Sequence, residues 1–289
     1  MSTFRFDAIG APWAIDTVEP LTGELEAALL ARIDDFDRTY SRFRDDSLVA
    51  EIAERPGTFT FPPDAVPLFA LYRGLYEATD AAVSPLVGRT IESLGYDRTY
   101  SLRPAAIAAP VPSWDDSFAF DGRQLTTVRP VVVDVGAAGK GYLVDLIGAL
   151  LLAAGIEWFT IDASGDILHR STALEGRPLR IGLEHPLDPT KAIGIATLAS
   201  GSLCASASNR RAWGDGLHHI IDAVTGLPTR SVIATWVIAP TALIADGLAT
   251  ALFFTEPDRL ERISPFTYVR MFSTGRVDHS PDFDGELFL

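Results

Sequence analysis

The chain has 289 residues, a formal charge of −14 and an isoelectric point near 4.7. That excess of carboxylates argues against nucleic acid and anionic membrane surfaces as partners, since both select for surplus Lys and Arg. Cys204 is the only cysteine, so no internal disulfide forms. The N-terminus has no apolar leader core and no run of about 18 apolar residues follows, which predicts a soluble cytoplasmic protein without membrane insertion.

In chain order, Phe4 to Asp16 alternates loosely and predicts an opening strand. Leu21, Leu25, Leu29, Ile33 and Phe36 recur at helical spacing, predicting an amphipathic helix of about four turns. Val66 to Thr79 repeats that pattern, and residues 103–130, rich in Pro, Ala and polar groups, read as loops with short strands. From 131 the order is strand (Val131 to Val135), helix (Tyr142 to Ala154) and strand (Trp158 to Asp162), a βαβ-like unit. Short strands follow at Leu179 to Leu183, Ile193 to Leu198, His219 to Asp222, Val232 to Ile238 and Tyr268 to Phe272. One helix, Ala242 to Phe254, interrupts them. Strand-heavy stretches with a few long helices predict an α+β fold with largely antiparallel sheets. No linker is evident, so residues 1–289 form one domain or two intertwined α+β subdomains.

The segment VDVGAAGKGYLVD, residues 133–145, stands out because Lys140 is one of two lysines against 22 arginines. Gly136, Gly139 and Gly141 around it predict a strand, a tight turn and a helix N-terminus. Backbone N–H groups there can hold an anion, so a phosphorylated ligand is expected. The nucleotide P-loop spacing is absent, and GAAGKG is not GxGxxG. Further on, Thr241 suits an N-cap, and Asp246 and Thr250, four residues apart, share a face of an otherwise apolar helix. A buried carboxylate among Leu, Ile and Phe needs a partner, and hard oxygen donors suit Mg²⁺.

His218 and His219 point to opposite faces of a strand, so at most one enters a site, where a near-neutral imidazole serves as general base. The absence of H-E-x-x-H spacing, of a second cysteine and of a further nearby histidine argues against zinc. Turn chemistry accounts for Asp162 to Asp166, and the paired arginines of SASNRRAW, residues 206–213, could fork a phosphate or a peptide carboxylate.

In order, these segments resemble the ApbE-type FAD:protein FMN transferases, over nearly the whole length. VDVGAAGKGYLVD is similar to the family's Asp-Leu-Gly-Gly-Ile-Ala-Lys-Gly-Tyr-x-Val-Asp, and DASGD to its Asn-x-Gly-Gly-Asp. HIIDAVTG resembles its His-Ile-Ile-Asp-Pro-x-Thr-Gly, and TALIADGLATALF its Thr-x-x-x-Ala-Asp-Ala-Leu-Ala-Thr-Ala. The chain departs at Ile9-Gly10-Ala11 (Met-Gly-Thr in the family), Leu48, Ser84, Asp162, Ser164, Ala223 and Ser206 to Arg210.

The resemblance implies a T-fold-like architecture. It also implies Mg²⁺ on Asp246, Thr250 and the main-chain carbonyl of Gly139, and FAD against Gly136, Lys140, Gly141, Asp145 and Asp222. His219 and Asp246 become the catalytic pair. The implied reaction passes FMN from FAD to a Thr or Ser hydroxyl of an acceptor protein and releases AMP. FAD hydrolysis to FMN and AMP, or FAD binding without transfer, uses the same residues.

Overall fold

Strand β1 (Ser2–Ala8) and strand β2 (Ala11–Thr17) form a hairpin where one long strand is predicted. The two-residue turn Ile9-Gly10 has φ of 45° and 74°, the left-handed backbone that tight hairpins require. The computed structural model describes residues 1–171 and 178–288. Helix α1 (Gly23–Tyr40) is capped by Thr22, whose hydroxyl accepts from Leu25 N–H, and buries Leu29, Ile33, Phe36 and Tyr40. Helix α2 (Leu48–Glu54), strand β3 (Gly57–Thr60) and helix α3 (Ala65–Ala78) follow. Next come the short helices α4 (Gly88–Ser93) and α5 (Trp114–Ser117), then strands β4 (Phe118–Phe120) and β5 (Gln124–Thr127).

The predicted strand Val131 to Val135 is a correction. It is extended and largely buried but belongs to no ladder: Val131 N–H goes to Ile52 O and Asp134 N–H to Pro85 O. Helix α6 (Gly139–Ala153) begins three residues earlier than its pattern predicts. Strand β6 (Phe159–Asp162) then pairs antiparallel with β2 and with strand β7 (Asp166–Arg170), so no parallel βαβ unit exists here.

Strands β8 (Leu179–His185) and β9 (Asp188–Leu198) form a long hairpin leading to β10 (Gly201–Ala207). Four two-residue strands follow: β11 (Ala212–Trp213), β12 (Leu217–His218), β13 (Ile221–Asp222) and β14 (Leu227–Pro228). His219 therefore lies between two short strands, not within the predicted one. The chain ends with β15 (Val232–Ala239), α7 (Ala242–Ala251), α8 (Pro257–Leu260), β16 (Thr267–Phe272), β17 (Val277–His279) and β18 (Gly285–Leu287).

The main sheet is antiparallel throughout, in the order β1-β2-β6-β7-β10-β15-β16-β17. Side-chain alternation sends neighbouring residues to opposite faces. Cys204 and Val237 join the core shared with α1, α3, α6 and α7, while Leu203 and Trp236 join a second core under the β18-β9-β8 sheet. The result is three layers: helices, the eight-stranded sheet, and a three-stranded sheet. Helices α6 and α7 are apolar on nearly every side, as befits helices buried between neighbours. Among the described residues no helix is long and apolar enough to cross a membrane.

Candidate active site

A cavity of about 610 Å³ opens where the N-terminus of α6, the middle of α7, the β1–β2 turn and the segment 205–211 meet. Gly136, Gly139, Lys140, His219, Asp246 and Thr250 all line it, so residues far apart in the chain come together in one cavity.

The turn before α6 is held by its own neighbours. Asp134 accepts from Gly136 N–H at 2.7 Å and from the buried Arg42 guanidinium, and Tyr72 Oη accepts from Ala137 N–H at 3.1 Å. Ala138 and Gly139 N–H both go to Val135 O, and Gly141 N–H to Asp246 Oδ2 at 2.9 Å. The expected cradle of free amides is therefore corrected: these N–H groups are already committed, and the positive charge facing the cavity comes from side chains. Burial pushes the Asp134 carboxyl up, but the adjacent Arg42 charge outweighs it and holds the group below the usual carboxylate range.

Asp246 is buried on α7, one turn from Thr250, whose hydroxyl donates to Ala137 O at 3.2 Å and not back along its own helix. Lys140 Nζ donates to Ala163 O at 2.8 Å and lies 2.9 Å from Asp166 Oδ2. Burial raises both the Asp246 and Asp166 carboxyls above the ordinary range, opposed by Lys140. Burial would lower Lys140, but the carboxylates of Asp166 and Asp246 hold it up and charged. Two buried carboxylates thus share one ammonium. A carboxylate, a hydroxyl and carbonyls of the same turn make an all-oxygen donor set, which fits a hard divalent cation. Thr250 reaches the carbonyl of Ala137, two residues before the expected Gly139. Among the described residues no cluster of three or more His, Cys, Asp or Glu offers another metal cage.

His219 is half-buried with Nδ1 sealed from solvent and without a hydrogen-bond partner. Burial first, then the charges of Arg211 and His218, push its imidazole down to about 3. Its main-chain N–H donates to Arg211 O at 3.3 Å. His218 instead has a structural place, with Nε2 2.8 Å from Thr229 O and Nδ1 accepting from Ile220 N–H.

Three other expected flavin contacts do not line the cavity. Asp145 caps α7, accepting from Ala242 and Leu243 N–H at 2.8 Å each, with burial pushing it up to about 6. Gly141 sits at the α6–α7 crossing, where a Cβ would lie 2.1 Å from Ala242 O. Asp222 closes its own turn by accepting from Val224 and Thr225 N–H.

Sequence reasoning missed Arg42, Tyr72 and Asp166. It also missed the aromatic wall of Phe43, Tyr96 and Tyr100, in which Phe43 and Tyr100 stack at 5.3 Å. Asp166 closes DASGD, where turn chemistry accounted for it, and the others carried no signal beyond residue type.

A model of the ApbE family matches residues 9–266. The FAD:protein FMN transferase of Klebsiella pneumoniae (strain 342) is 26% identical over 277 residues, covering 88% of this chain and 79% of that protein. The protein of the same name from Vibrio cholerae serotype O1 is 27% identical over 281 residues, covering 89% and 80%. Among solved structures, the ApbE protein of Thermotoga maritima superposes with a TM-score of 0.83 at 23% identity, covering 97% of each chain. The flavin transferase ApbE of Vibrio cholerae gives 0.80 at 20% identity, covering 98% of this chain and 97% of that one. At these identities the superpositions speak for the fold.

Proposed function

Because the chain belongs to the ApbE family, we propose that it is a transferase that moves the FMN moiety of FAD onto a Thr or Ser hydroxyl of an acceptor protein and releases AMP. The observation that carries this reading is the convergence of Asp246, Thr250, Lys140 and His219 on one cavity. Asp246 and Thr250, with a main-chain carbonyl of the turn before α6 (Gly139 by resemblance to the family), would hold Mg²⁺. When bound, the ion offsets the pyrophosphate charge.

Lys140, kept charged by Asp166, adds a fixed cation against the same group. The ring of His219 lines the cavity and is neutral at working pH, which leaves the imidazole unprotonated to receive the proton of the acceptor hydroxyl. The hydroxyl oxygen forms the new bond to the FMN phosphorus, the bond to the AMP oxygen breaks, and AMP leaves. Positioning and charge neutralisation supply most of the acceleration.

Incubation with FAD, Mg²⁺ and a family acceptor protein should give a covalently fluorescent acceptor and AMP in equal amounts, and Asp246→Ala should abolish both. Rapid AMP release without acceptor would turn the reading to FAD hydrolysis. Retained FAD with no labelled acceptor would turn it to a binding protein.

A further inference from the structure

Five Lys and Arg side chains line the cavity, in a protein whose overall charge is strongly negative. Four of them are already paired. Arg42 lies on Asp134, Arg44 on Asp34, Asp37 and Asp46, Lys140 on Asp166, and Arg210 on Glu184. Among the described residues, Arg211 faces no carboxylate within ion-pair distance.

Its position is fixed by the fold. The main-chain carbonyl of Arg211 takes the N–H of His219, which ties the two residues side by side, and its guanidinium lies 5.9 Å from the centre of the Tyr96 ring. From there it shares the cavity with His219, Asp134 and Tyr96, which sit on three separate segments around it. A cation lining such a cavity, with no counter-charge of its own, is suited to a ligand that brings one.

Resting on the transfer reading, we infer that Arg211 is an oxyanion-binding residue of this cavity, one that forks a substrate oxyanion beside His219. A phosphate oxygen of FAD and a carboxylate of an acidic acceptor segment offer the same chemistry to a guanidinium. Either would bring negative charge against the imidazole that receives the acceptor proton. The side chain is exposed and bonds to nothing in the core, so its replacement leaves the fold intact.

The test compares wild type with Arg211→Gln and Arg211→Lys, all in Mg²⁺, by calorimetry with inorganic pyrophosphate, FAD and riboflavin. Transfer kinetics with a threonine peptide carrying one aspartate, against its asparagine counterpart, complete it. A charge-assisted bond predicts a loss of roughly tenfold or more in the Gln variant, partly restored by Lys. Weakened pyrophosphate and FAD with unchanged riboflavin assigns the oxyanion to the substrate phosphate. Unchanged FAD with a raised KM for the aspartate peptide alone assigns it to the acceptor. Equal affinity and equal KM in wild type and Gln variant for every probe overturns the inference. A wild type that labels no acceptor, yet loses pyrophosphate on Arg211→Gln, would sink the transfer reading and leave this assignment standing.

Discussion

Burial and the neighbouring charge of Arg211 make His219 a neutral base, pushed down to about 3. The unfolded chain takes up a proton on this imidazole near pH ~6.5 that the folded chain refuses. The unfolded state therefore binds more protons between about pH 6.5 and 3, and stability falls as pH drops through that window. His219→Gln should flatten this part of the stability profile, read as thermal midpoint against pH; an unaltered slope would show that the ring titrates normally in the fold. On activity, His219→Ala should slow transfer by roughly 10²–10⁴-fold while FAD affinity changes far less, because the ring handles a proton and does not anchor the flavin. A loss of FAD affinity as large as the loss of turnover would move His219 from proton transfer to binding. The residue was legible in the sequence as one of two adjacent histidines, of which only one could enter a site. The reason differs from alternation along a strand: His218 ends β12, and His219 sits in the gap before β13.

The decisive element pair is α6 against α7. Their periodicity is plain in the sequence, but their crossing is not, because it depends on Gly141, a residue with no side chain to pattern. A methyl group there would meet Ala242 O at 2.1 Å and Asp246 Cβ at 2.7 Å, and the N–H of Gly141 holds Asp246 Oδ2. Gly141→Ala should therefore cost roughly 1–3 kcal/mol of stability and displace the Asp246 carboxylate as well. A denaturant midpoint and a Mg²⁺ titration check both halves, and a variant as stable as wild type would mean that the helices slide apart freely. Asp145 separates two readings of one position. It resembles a flavin contact in the sequence but caps α7 in the fold, so Asp145→Ala should leave two N–H groups without acceptors, at roughly 1–3 kcal/mol each. FAD affinity of the folded variant should stay near wild type, and a selective loss of FAD binding would restore the contact. Strand β10 shows the opposite limit: its Gly, Ser, Cys and Ala residues carry no alternating pattern, yet it lies inside the main sheet between β7 and β15.

At the scale of the whole molecule, the α+β class and the antiparallel sheets were legible because strands and helices each keep their own period. The order of the eight strands was not, since pairing across long separations leaves no local trace. The same holds for the site, where Asp166 on β7, Lys140 on α6 and Asp246 on α7 meet only through the fold. There, two buried carboxyls lie around one ammonium, and burial favours the neutral form of each. Because burial raises the carboxyl of Asp246, the native state holds a proton longer than the unfolded chain does. Stability contributed by this group is then lost as pH rises above the ordinary carboxylate range. At neutral pH without a divalent ion, Asp246→Asn should consequently melt above wild type. Mg²⁺ should reverse that order by binding the native wild type alone: at a hundredfold excess over Kd the gain is about 2.7 kcal/mol. For a chain of this size that is roughly 4–5 °C in thermal midpoint. A Mg²⁺ shift of equal size in both proteins would place the ion elsewhere, and no shift in either would remove Asp246 and Thr250 as its holders.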